Sequence, residues 1–112
     1  MRYTATELGL VVSSGSEVAD VIRPIIGLTR RELDLNGQTL IFGNTKVMVV
    51  DLALALGAKF YYSGCPHSTL NDFNRGEFPV LVSTSAAADG FYFRYVDIVI
   101  IIGRIASFYN FV

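Results

Sequence analysis

Asn44, Thr45 and Lys46 place a carboxamide, a hydroxyl and an ammonium directly after the apolar run Gln38–Phe42 and Gly43. The chemistry of such a group is anion binding. Where a strand ends and a helix begins, free backbone N–H groups and the helix dipole attract a phosphate. Ser83-Thr84-Ser85 offers three hydroxyls after a second apolar run, Phe78–Val82. Each turn also has an ordinary alternative, since Asn and Thr cap helices and Ser and Thr close turns without binding anything. In a parallel sheet both turns would face the edge where such folds gather ligand-binding groups. That shared edge favours a functional role for both.

Other groups offer less. Cys65-Pro66-His67 invites a nucleophile reading, which needs the ring nitrogen within hydrogen-bond reach of the sulfur. Spacing across a proline does not secure that reach, no second histidine exists, and a packing role is expected for Cys65. One Cys and one His also fall short of the ligands that zinc takes. Tyr61-Tyr62 and Phe91-Tyr92-Phe93 have the ring types that stack on bases, with core packing as the alternative. Neither G-x-x-x-x-G-K-[ST] nor G-x-G-x-x-G occurs, and no Asp-Glu pair ends a strand to hold magnesium. The chain alone is therefore expected to show no NTPase activity above background. Turnover of ATP by the purified chain, lost on a point change within Thr84–Gly90, would contradict this.

The elements that must position these residues follow from hydrophobic pattern and punctuation. Thr4–Val12 reads as a first strand. Ser13-Ser14-Gly15-Ser16 is a turn with capping residues, and Glu17 suits the first turn of a helix. Glu17–Ile26 has helical spacing in Val18, Val21, Ile22 and Ile25, with an end or kink expected at Pro24. Leu28–Leu35 is open between helix and other structure, and Asn36-Gly37 is a turn. Gln38–Phe42 is a strand. Lys46–Leu56 is a helix stopped by Gly57, apolar nearly all round and so expected to be buried on most sides. Ala58–Tyr62 is a strand, His67–Arg75 a short helix closed by Gly76, and Phe78–Val82 a strand. Ala86–Ala88 is a helical turn or loop, and Tyr95–Ile102 the last strand. Strands alternating with helices imply a parallel sheet with right-handed crossovers.

Composition agrees with one small α/β domain of 112 residues, 52% hydrophobic and 17% charged, which argues against disorder. The net charge of -1 gives no general field for nucleic acid, so any such binding must be local. The single cysteine excludes an internal disulfide and fits a reducing, intracellular compartment, the cytoplasm. No secretory signal is seen, and the apolar stretch Val96–Ile105 is too short for a membrane span of roughly 20 residues.

Three stretches, taken together, resemble the second RecA-like domain of superfamily 2 helicases. Thr39-Leu40-Ile41-Phe42-Gly43-Asn44-Thr45-Lys46 is similar to motif IV of that family. Tyr61-Tyr62-Ser63-Gly64 is similar to a strand end in helicases of positive-strand RNA viruses, the hepacivirus type especially. Phe73-Asn74-Arg75-Gly76, Val80-Leu81-Val82-Ser83-Thr84 and Ala87-Ala88-Asp89-Gly90 follow the run that contains motif V. The likeness covers about residues 38–102. It implies an α/β, three-layer parallel sheet of the P-loop NTPase helicase type, truncated after the motif V strand. Residues 1–37 would be a leading strand and helix, and 38–112 the helicase C-terminal core, in one domain.

By the same resemblance Asn44, Thr45, Lys46 and Thr84 match positions that hold nucleic-acid phosphates, and Asp89 and Gly90 lie near the nucleotide. The resemblance implies part of an NTP-dependent RNA helicase from a viral polyprotein, contacting single-stranded RNA or DNA and not catalytic alone. ATP and Mg would belong to the full-length enzyme, through a first domain in cis, and no cofactor to this chain. Ser85 stands where Asp is usual, Asp89 where Thr or Arg is usual, and Ser63 where the hepacivirus type has Arg. Motif VI is represented only by Gly103-Arg104, with no further arginine after it. The alternative is a stand-alone, non-catalytic α/β module that binds protein or nucleic acid.

Overall fold

Apolar runs became strands and the intervening segments helices in the computed structural model, which describes residues 4–8, 15–88 and 92–102. In chain order the elements are β1 (Thr4–Leu8), α1 (Gly15–Leu33), β2 (Gln38–Phe42), α2 (Lys46–Leu56), β3 (Lys59–Tyr61), α3 (Ser68–Asn74), β4 (Val80–Ser83), a 3-10 turn (Ser85–Ala88) and β5 (Val96–Ile102). The sheet has five strands in the order β1-β5-β2-β4-β3, all parallel. β2 and β4 pair Phe42 with Ser83, so their carboxyl ends lie side by side.

The pleat sorts each strand's residues between two cores. Ile41, Val82, Ile98, Ile100 and Ile102 meet Val18, Ala19 and Ile22 of α1 and Val49, Leu52 and Ala53 of α2. On the other face Leu40, Phe42, Leu81 and Val99 meet Leu70 and Phe73 of α3, with Phe93 from the loop before β5. Three layers result. The two connections that step from the β1 side toward β3 carry α1 and α2 on one face. The step back from β3 to β4 carries α3 on the other. That is the arrangement a single crossover hand requires.

α2 has the ends its sequence foretold. Thr45 is the N-cap, and Gly57 at φ 68° closes the helix by donating its N–H to Ala53 and Leu54 carbonyls. A residue with a Cβ is strained at that φ, so glycine suits it. The expected burial of α2 on most sides is corrected. Val49, Leu52 and Ala53 are buried, whereas Val47 is 80% exposed and Leu54 72% exposed. α1 and the sheet cover one side of this helix, and no described element covers the other.

Of the end or kink expected at Pro24, the end is corrected, because α1 continues through it to Leu33. Proline removes one backbone donor and crowds the carbonyl four residues earlier. Here Pro24 and Asp20 both lie on the exposed side, where water can take that carbonyl. Val18, Ala19 and Ile22 are buried before the proline, and Ile25 and Ile26 pack against the same core after it. Tertiary packing outweighs the local penalty. At its start, α1 takes a cap from another helix: the Gly15 N–H donates to Asp51 Oδ2 of α2 at 2.6 Å. The expected cap residues Ser13 and Ser14 lie outside the described residues.

At its far end α1 is bolted to the sheet. Arg30 donates to Asp97 Oδ1 of β5 at 3.1 Å and to Thr39 Oγ1 of β2 at 2.7 Å. The other Asp97 oxygen accepts from the Gly37 N–H at 2.6 Å. A Cβ on Gly37 would come within 2.3 Å of the Tyr95 carbonyl oxygen, so only glycine fits without a shift. The Asn36-Gly37 signal thus marks a close approach as well as a turn. No described helix is long and apolar enough to cross a membrane.

Candidate functional site

The two polar turns singled out in the sequence meet at the carboxyl edge of the sheet. Their backbones are joined directly. The Gly43 N–H donates to the Ser83 carbonyl at 2.8 Å, and the Thr84 N–H donates to the Tyr61 carbonyl at 3.2 Å. The ends of β2, β4 and β3 are thereby fastened in one row, with Asn44, Thr45 and Lys46 leaving from the first and Thr84 from the second.

Thr45 has an extended backbone, φ −133° and ψ 157°, and its hydroxyl oxygen accepts from the Met48 N–H at 3.1 Å. The capping alternative is therefore met. It does not use up the residue, because a hydroxyl that accepts one bond keeps its own proton to donate. The N–H groups of Lys46 and Val47 take no acceptor among the described residues. No acidic side chain occupies the first turn of α2. Two unclaimed donors, a free hydroxyl proton and the positive end of the helix converge there. Asn44 and Lys46 are exposed beside them.

Thr84 is half-buried, and its Oγ1 accepts a long 3.5 Å bond from the Ala86 N–H. It too retains a proton to donate. Ser83 is different. It is fully buried, and its hydroxyl donates to the Thr84 carbonyl at 2.7 Å. Of the three hydroxyls expected at this strand end, Ser83 is committed to holding the turn. Ser83 is the last residue of β4, one beyond the run Phe78–Val82 read as the strand, so it belongs to the sheet and not to the turn. Asp89 and Gly90 lie outside the described residues, as do Gly103 and Arg104.

Lys46 and Tyr62 form a pair that sequence reasoning missed. The ammonium sits over the ring, 5.1 Å from its centroid, a cation–π contact. Among the described residues no carboxylate pairs with Lys46. Tyr61 and Tyr62 go opposite ways: Tyr61 is a 4% exposed core residue, whereas Tyr62 is half-exposed and stacks parallel on Phe60 at 5.9 Å. The alternation of an edge strand carries the signal, and only the position of β3 beside α2 reveals it.

Cys65 and His67 do not form a catalytic pair. No hydrogen bond joins them; the imidazole stands edge-on to Tyr61 at 6.1 Å, and Cys65 is half-buried against the α3-side core. Among the described residues no cluster of His, Cys, Asp or Glu could hold a metal ion.

The described edge can thus present donors and one exposed cation to an anion, and it has no described group poised as nucleophile or general base. The chain matches the family described as Helicase conserved C-terminal domain over residues 19–110. No curated protein matches it.

Proposed function

From the premise that this chain belongs to the helicase conserved C-terminal domain family, we propose that its role in a helicase is to hold the backbone phosphates of a single strand. Thr45, Lys46 and Thr84 make the contacts in this reading, with Asn44 beside them. The observation that carries it is the amino terminus of α2, where the Lys46 and Val47 N–H groups take no acceptor among the described residues and the neighbouring Lys46 ammonium has no described carboxylate partner. A phosphate meets all of these needs at once. The strand is RNA and the enzyme of superfamily 2, of the positive-strand viral type. Its NTP and Mg are bound with another domain in cis, and this reading assigns Asp89 and Gly90 to that nucleotide.

Sequence-independent contacts to phosphate predict weak, salt-sensitive binding. For single strands each neutralised phosphate contributes about -0.7 to the slope of log K against log salt. Lys46→Ala is expected to flatten the slope by about that amount and to leave base preference unchanged. With a net charge of -1 there is little background attraction to mask the loss. Titrating a labelled single-stranded oligonucleotide at several salt concentrations measures it. An unaltered slope in the variant would remove Lys46 from the phosphate grip.

A further inference from the structure

The outer flank of α2 carries more apolar surface than a solvated helix needs. Lys46, Val47, Val50, Asp51 and Leu54 lie along this one flank, and with Tyr62 they line a groove of about 420 Å³. That volume falls within the roughly 300–1,000 Å³ of small-ligand sites. Val47 and Leu54 are largely exposed in it, and Val50 is half-buried. Its one aromatic wall is Tyr62, held flat against Phe60 with an interplanar angle of 1°.

We infer that this groove takes a nucleobase of the bound single strand, stacked on Tyr62 and floored by Val47, Val50 and Leu54. The inference rests on the phosphate-holding role proposed above, because Lys46 belongs to both places. Its ammonium covers the Tyr62 ring in the free protein. A phosphate at the α2 amino terminus draws that ammonium toward itself and frees the ring face for a base. Phosphate capture and base stacking are then one event.

Two observations favour a base over an apolar side chain of a protein partner. The cation stands at the mouth of the groove, matching the charge that accompanies every base. The flat ring suits a π surface, and stacking of this kind tolerates any base.

The test compares a natural single-stranded oligoribonucleotide with an abasic one of equal length, at one salt concentration, using the full chain. A matching oligonucleotide carrying 2-aminopurine reports stacking through its fluorescence. Wild type is expected to bind the abasic strand about tenfold more weakly, an effect of one stacked base, and to quench the 2-aminopurine. Tyr62→Leu should abolish both the discrimination and the quenching while keeping the salt slope, and Tyr62→Phe should retain them. Leu54→Asp, at an exposed position, should reduce discrimination without unfolding the chain. Equal binding of the two strands with an intact salt slope overturns the groove assignment and leaves the phosphate reading standing. No binding of either strand at low salt overturns both. If Tyr62→Leu and Leu54→Asp both behave as wild type, the flank is a protein-contact surface and the inference fails.

Discussion

Phe73→Ala is expected to lower the unfolding free energy by about 3–5 kcal/mol, the range for emptying an aromatic side chain from a packed core. Phe73 is fully buried, with its ring 5.4 Å from that of Phe78 and 5.8 Å edge-on from that of Phe93. Its backbone is held as well: its carbonyl accepts from Gln38 Nε2 at 2.6 Å, and the same amide reaches the Phe78 carbonyl at 2.8 Å. With both ends fixed, the site has little freedom to collapse around the void. Small domains have only about 5–15 kcal/mol in all, so the variant should be marginal. Urea unfolding followed by circular dichroism gives the number, and a loss below about 1 kcal/mol would show that α3 is not anchored as described. Because Phe73 lies in the α3-side core and the proposed grip lies at the strand ends, nucleic-acid affinity per folded molecule should hardly change.

Asp97→Ala comes next, with an expected loss of about 2–4 kcal/mol. Breaking a fully buried ion pair costs about 3–5 kcal/mol, and partial exposure reduces that here. The side chains of Arg30 and Asp97 are 23% and 15% exposed. The substitution also strands the Gly37 N–H, whose bond to Asp97 is 2.6 Å. An orphaned donor adds roughly 1–3 kcal/mol where water cannot replace its partner. Pairing Asp97→Ala with Arg30→Ala in a double-mutant cycle isolates the coupling, expected at about 1–3 kcal/mol. Strict additivity would mean that Arg30 serves only through Thr39 and its own packing.

The sheet and its polar edge were legible in the sequence because strand type, helix spacing and turn residues agreed. Gln38–Phe42 and Lys46–Leu56 were foreseen to the residue, including the glycine that ends α2. What failed depended on neighbours remote in the chain. Nothing near Pro24 says that Arg30 will be pinned to Asp97, or that the isoleucines after it will find the α1–α2 core. The apolar circumference of α2 suggested burial on most sides, but burial requires a covering layer, and periodicity does not report one. The phosphate-type turns were visible as residues. Their alignment was only implied, since it depends on β4 taking the place beside β2. Tyr62 was visible as a stacking ring, whereas its partnership with Lys46 required β3 at the edge next to α2.

The place of β5 bears on how such a chain is made. It is the last described strand, yet it sits between β1 and β2, with Ile98 opposite both Thr4 and Thr39. A ribosome delivers β1 and β2 long before the strand that joins them. Until then the nascent chain carries two unpaired parallel edges rich in hydrogen-bonding groups, the kind of surface that invites wrong partners. α1 can dock on α2 early, but the middle of the sheet stays open. Synthesis must run past Ile102 before the sheet can close.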